Sequence, residues 1–192
     1  MVVSTAAGAV GTVASQIAKL RGCRVVGLAS TASKCRWLVD DVGLDAAIEY
    51  RSPDALASGF ARHCPNGIDV YFDNVGGAVL DTALAHLAMH ARVVMCGALA
   101  SYDPTEPPPG VTNLFKLVTQ RATMAGFMVT DYVPEYPAAA AEIADWIGSG
   151  RLRPVEDVRD GIDETPRAFC DMFRGVNRGK LVVRLAAAAE RA

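Results

Sequence analysis

The stretch "VVSTAAGAVGTVASQIAKLRGCRVVGLAS", residues 2–30, decides the fold. A short apolar run near Val2 to Ser4 reads as a strand, a turn of alanines and glycines follows, and from about Val10 to Leu20 apolar residues recur at helical spacing. A second apolar run covers Arg24 to Ala29. Strand, glycine turn, helix and strand within one short unit is the βαβ arrangement that binds nucleotides.

The dinucleotide fingerprint wants glycine where the chain leaves the first strand, where backbone meets pyrophosphate, and where helix packs on strand. Those slots hold Ala6, Gly8 and Gly11. Backbone N–H groups at the start of the Val10 helix then point at phosphate oxygens, and the helix dipole adds attraction. A glycine-rich turn with no ligand is the alternative, and the surrounding βαβ unit weighs against it. NAD is chosen over NADP by a carboxylate at the end of the second strand, which bonds the adenosine ribose 2′-OH. The sequence there is "GLASTASK", with no acid. Ser30 and Lys34 offer a hydroxyl and an ammonium instead, a pair suited to a 2′-phosphate that a carboxylate would repel. The expected cofactor is NADP.

Apolar runs and helical patterns go on alternating beyond residue 30, which predicts a doubly wound parallel α/β sheet. Further strands are expected near Ala46 to Glu49, Val70 to Asp73 and Arg92 to Cys96. Helices are expected near Ser33 to Val42, Asp54 to Arg62 and Ala78 to Leu87. Ligands of such sheets bind at the carboxyl ends of the strands. Four prolines break the alternation in "SYDPTEPPPG", residues 101–110, a loop that reads equally as linker or as lid. After it come "TMAGFMV", residues 123–129, as a strand, residues 137–150 and 165–175 as helices, and "KLVVRL", residues 180–185, as a last strand. Residues 1–185 are expected to form one dinucleotide-binding domain with a C-terminal return segment, and residues 186–192 are expected to be a tail with a frayed helix end.

A net charge of −2, from 19 basic and 21 acidic residues spread along the chain, gives no basic stripe for nucleic acid or anionic lipid. No apolar run is long enough for a membrane span. The five cysteines stand singly, without a CxxC pair, which fits reduced thiols in the cytoplasm and no zinc knuckle. His63, His86 and His90 add no ligand cluster, so no metal is expected. A nucleotide-fold methyltransferase would also want an acid after the second strand. A short-chain dehydrogenase would want Tyr-x-x-x-Lys, and no tyrosine here has lysine four positions on.

Taken together, "AAGAVG", "SKCRWL", "YFDNVGG", "CGALASY", "GFMV" and "GVNRGK" resemble the zinc-free medium-chain reductases, in the branch of prostaglandin and leukotriene reductases and NADPH-dependent alkenal double-bond reductases. The resemblance implies that this chain is the cofactor-binding portion of a longer two-domain reductase whose N-terminal β-rich domain is absent. It also implies that the strand in "GVNRGKLVVRL" lacks its pairing partner. By the same resemblance Ala6, Ala7, Gly8 and Ala9 line the pyrophosphate with Val10 and Gly11 behind them, Lys34 meets the 2′-phosphate, and Tyr50 packs near the adenosine. Asn74 bonds a ribose hydroxyl, helped by the close approach that Gly76 and Gly77 permit. Cys96, Gly97, Ala98 and the residues on to Tyr102 run beneath the nicotinamide, Phe127, Met128 and Val129 flank it, and Asn177 closes over it.

Tyr102 is the expected catalytic residue, its phenol bonding the carbonyl of an enone or enal substrate as negative charge develops. The implied reaction is NADPH-dependent reduction of the carbon–carbon double bond of α,β-unsaturated ketones and aldehydes. A non-catalytic NADP-binding module and a quinone oxidoreductase are the alternatives. The strand "TMAGFMV", uncharged and apolar, predicts a homodimer formed edge to edge.

Overall fold

The computed structural model describes residues 1–50, 52–102 and 110–185. Six strands form one parallel sheet in the order β3-β2-β1-β4-β5-β6: β1 (Val2–Val3), β2 (Val26–Ala29), β3 (Ala46–Glu49), β4 (Ile68–Asp73), β5 (Leu87–Met95) and β6 (Thr123–Gly126). Helices α1 (Ala9–Leu20), α2 (Ala32–Asp40), α3 (Pro53–His63) and α4 (Gly77–Ala85) link the first five strands. Every residue of β1 and β2 is buried, because helices cover both faces of the sheet. On one face Leu28, Ile48 and Tyr71 pack with Leu56 and Phe60 of α3 and Leu80 and Leu84 of α4. On the other, Val3, Ala6 and Val25 pack with Ala18 of α1 and Leu38 of α2.

The chain reverses its direction of winding at β1, which pairs with β2 on one side and β4 on the other. That is the switch point at which doubly wound sheets open a ligand crevice. The predicted α/β architecture is present, with corrections toward the C-terminus. β5 begins at Leu87, the last residue of an expected helix, and so starts before the Arg92 expected from the sequence; its register against β4 shifts between Ile68 and Val70, and His90 has φ 61°. A short α5 (Phe115–Thr119) leads into β6. β6 stops at Gly126, so residues 127–129 leave the sheet and lead into a 3₁₀ stretch, Val129–Glu135.

Helix α6 (Tyr136–Gly148) precedes β7 (Glu156–Asp160), a strand not expected from the sequence; α7 (Thr165–Phe173) and β8 (Lys180–Arg184) follow. β7 and β8 pair in parallel along five residues, Glu156 with Lys180 through Asp160 with Arg184. The last strand therefore has a partner within the chain, contrary to the expectation from resemblance. The proline-rich part of the predicted linker or lid, residues 103–109, and the tail, residues 186–192, lie outside the described residues.

Candidate cofactor site

Asp73 ends β4 with its side chain wholly buried. Its carboxylate accepts from Ser4 Oγ at 3.1 Å, Tyr71 Oη at 3.0 Å and the backbone N–H groups of Val75 and Gly76 at 3.0 Å each. These donors tie the ends of β1 and β4 to the turn that starts α4. Burial and the neighbouring Asp73 charge push the Tyr71 phenol well above its ordinary pKa, so it stays a donor. The residues after β5 join the same frame, since the N–H groups of Cys96 and Gly97 bond Asp73 O and that of Leu99 bonds Asn74 O.

In front of this frame lies a cavity of about 530 Å³, bounded by the ends of β1 and β2, the loops after β3, β4 and β5, and the segment after α7. The start of α1 forms its floor. Gly8 caps that helix without a side-chain bond, and no acid stands in the first turn. By contrast, the Thr31 and Ser52 side chains cap α2 and α3. The first amides of α1 have no partner within the helix, and the dipole makes them attractive to an anion. Gly11 is there for close packing: a Cβ on it would lie 2.2 Å from Thr5 O. Thr5 has φ 49°, unusual for a β-branched residue, and its buried hydroxyl lies against the Tyr50 phenol. An uncapped helix start and a glycine at its N-cap together fit a phosphate group.

Ser30 and Lys34 line the same cavity from the end of β2 and the first turn of α2. Lys34 Nζ donates to Gly175 O at 2.5 Å. Burial holds its pKa below the ordinary lysine value, helped by the Arg178 charge and opposed by that of Asp157. Tyr50 faces the cavity beside Thr5; burial raises its phenol pKa, and the nearby Thr5 hydroxyl partly offsets the rise.

The far wall is the strap of residues 174–179 between α7 and β8. Gly179 N donates to Ala7 O at 2.8 Å, and Gly179 bridges Gly8 in parallel register. Gly179 has φ 69°, and a Cβ on it would meet Val155 O at 2.1 Å, so only glycine lets the strap come this close. Asn177 Nδ2 donates to Gly179 O and holds the strap's own turn.

Of the residues singled out from sequence, the cavity brings together Ala7, Gly8, Ala9, Ser30, Lys34, Tyr50, Tyr102 and Asn177. Ala6 is fully buried, its N–H bonded to Leu28 O, and Gly11 packs beneath the turn. Val10 is exposed. Asn74 turns its amide back, Nδ2 donating to Ser4 O at 2.8 Å. Cys96, Gly97 and Ala98 stand behind the cavity, with the Cys96 thiol pushed up by burial and by Asp73.

Phe127, Met128 and Val129 lie away from the cavity; the Phe127 ring sits edge-on to Tyr132, and Met128 N bonds Asp131. Tyr102 stands at the mouth, 60% exposed. Sequence reasoning missed Thr5, Asp73, Phe173, Arg174 and Gly175. Gly175 and Gly179, both at positive φ, were a readable signal for the strap.

Residues 9–145 match the family model described as zinc-binding dehydrogenase. The chain belongs to this family. Among relatives, a 2-alkenal reductase (NADP(+)-dependent) of Nicotiana tabacum is 41% identical over 181 residues, covering 94% of this chain and 52% of the relative. An NADPH-dependent curcumin reductase of Escherichia coli is 38% identical over 191 residues, covering 97% and 55%. The structure of CurA from Vibrio vulnificus in complex with NADPH superimposes with TM-score 0.89 at 37% identity, covering 97% of this chain and 57% of that one. The chain thus spans about half the length of the relatives it matches, and they agree with the reductase branch inferred from its motifs. Among the described residues, no three His, Cys, Asp or Glu come together as a metal site. No helix among the described residues is long and apolar enough to cross a membrane.

Proposed function

We propose that this chain binds NADPH along the carboxyl edge of its sheet, and that the whole protein reduces the carbon–carbon double bond of α,β-unsaturated ketones and aldehydes. The observation that carries the first part is the cavity itself. At one end uncapped amides of α1 meet the Gly8 cradle, and at the other Ser30 and Lys34 stand where an NAD site would hold an acid. Ala7, Gly8 and Ala9 would hold the pyrophosphate, Lys34 and Ser30 the 2′-phosphate, and Tyr50 the adenosine, while Asn177 would lie on the strap side. NADPH supplies a hydride when bound.

The second part is supported by the names of the relatives and by Tyr102, whose exposed phenol at the mouth is free to donate to a substrate carbonyl and stabilise the enolate oxygen. Water must be kept from that step by a second wall, which the described residues around Tyr102 do not supply. We read residues 1–185 as a single cofactor-binding unit of a cytoplasmic enzyme that dimerises through the exposed edge of β6. A nucleotide-binding module without catalysis is the second reading, favoured by the openness around Tyr102.

Fluorescence titration of this chain with NADPH and NADH tests the cofactor. NADPH should bind more tightly, and Lys34→Ala should remove about 1–2 kcal/mol from NADPH while leaving NADH nearly unchanged. Equal losses for both would sink the assignment. In the full-length protein, Tyr102→Phe should lower kcat for a 2-alkenal more than it raises KM. An unchanged rate would remove Tyr102 from the mechanism, and no turnover by the unaltered full-length protein would favour the second reading.

A further inference from the structure

The strap and helix α2 meet at two points, each three residues apart on its own segment. Lys34 Nζ reaches Gly175 O, and the Arg178 guanidinium lies over the Trp37 ring, 5.7 Å from its centre. Lys34 and Trp37 share one face of α2 because residues at i and i+3 are neighbours on a helix. Arg178 stands between Asn177 and Gly179, both of which line the cavity. Arg178 itself lies just outside the cavity lining, so the contact sets a second cation next to the cavity beside Lys34, where its charge is felt.

Among the other charges here are Asp157, which favours the charged lysine but is itself held by Arg159 at 3.1 Å, Arg174, whose side chain is largely exposed, and Glu49 and Arg36, whose charges act on the neighbouring Cys35. Two cations that each disfavour the other's charge form a poor arrangement by themselves and a good one around a dianion. Arg178 also rests on Trp37, which pre-orients a planar fork of donors suited to phosphate oxygens.

We propose that Arg178 is the second cation of the adenosine 2′-phosphate site, reaching it from the strap and setting the preference for NADPH over NADH together with Lys34. This rests on the proposal that the cavity holds NADPH. A phosphate at this position would compete with Gly175 O for Lys34 and draw the Arg178 guanidinium toward α2. The strap would then carry specificity as well as closure.

The test is titration of this chain and its Arg178→Ala and Arg178→Lys variants with NADPH and NADH, at low and high salt. Arg178→Ala should weaken NADPH about five- to tenfold at low salt, less at high salt, and leave NADH unchanged. Arg178→Lys should keep most of the preference, since it keeps the charge. NADH binding serves as the control that each variant is folded. Equal weakening of both cofactors would make Arg178 a strap anchor only, and no weakening of either would remove it from the site; both overturn the inference. A wild-type chain that binds NADPH no better than NADH would instead overturn the underlying cofactor reading.

Discussion

Residues 1–95 and residues 110–185 use the same kinds of element and finish them differently. In the first region the sheet is enclosed on both faces, and it supplies every described buried hydrophobic residue except Trp146, Leu152 and Ala168. In the second region Phe115, Val118, Met128, Ile162, Phe169 and Phe173 are all more than half exposed. β6 presents four exposed residues in a row at the sheet edge. Apolar surface of this extent marks places that a soluble protein covers with something else. The first region reads as a finished core that carries the site, and the second as a set of walls prepared for contact.

The strongest way to break this contrast is to injure each region and compare. Asp73→Ala should cost about 3–5 kcal/mol, because Ser4, Tyr71 and two backbone N–H groups lose a buried charged acceptor together. Urea unfolding measures it, and a loss under 1 kcal/mol would mean that the frame at β1 and β4 is not what holds the site. Gly11→Ala should come next, at about 1–3 kcal/mol with weakened NADPH binding, since its Cβ would collide with backbone at Thr5.

Acid should act more gently. The Asp81 carboxylate accepts from the N–H groups and side chains of Thr112 and Asn113, and Asp45 from Lys19 and Val25; these partners hold both pKa values below the usual range despite some desolvation. A depressed folded-state pKa stabilises above the unfolded value, about 4, and the benefit is lost as pH falls through the folded value. Asp81→Asn should flatten the acid limb of a melting-temperature profile, and an unaltered limb would exclude Asp81 as a contributor. The smallest effect is expected in the second region: Phe173→Ser should change stability by no more than about 0.5 kcal/mol, while lowering the chain's tendency to associate in sedimentation. A large loss would show that Phe173 belongs to a core after all.

What the sequence revealed follows the same division. A strand buried on both faces leaves a continuous apolar run, which made β2 legible; the edge strand β3, alternately buried and half-buried, could also be read within a residue or two, along with the glycine turn between β1 and α1. β7, "EDVRD", lies in a small sheet open to solvent and alternates polar residues with little apolar signal, so nothing in its composition announced a strand. The start of β5 was hidden in "LAMHAR", where a register shift and a left-handed His90 break the pattern. In the site, residues tied to the turn and to α2 were legible because backbone geometry restricts their type. Asp73 was not, since a carboxylate at a strand end looks the same whether it meets a ligand or holds a frame.

The strap carries one more consequence, in time rather than space. Lys34 and Gly175 are 141 positions apart, and Gly179 must reach back to Ala7 and Gly8. Chains emerge from the ribosome N-terminus first, and contacts between distant residues form late because loop closure must precede them. The cradle at α1 is local in sequence and can form before the strap closes over it, and a ligand that binds only the closed form would favour that closure by mass action.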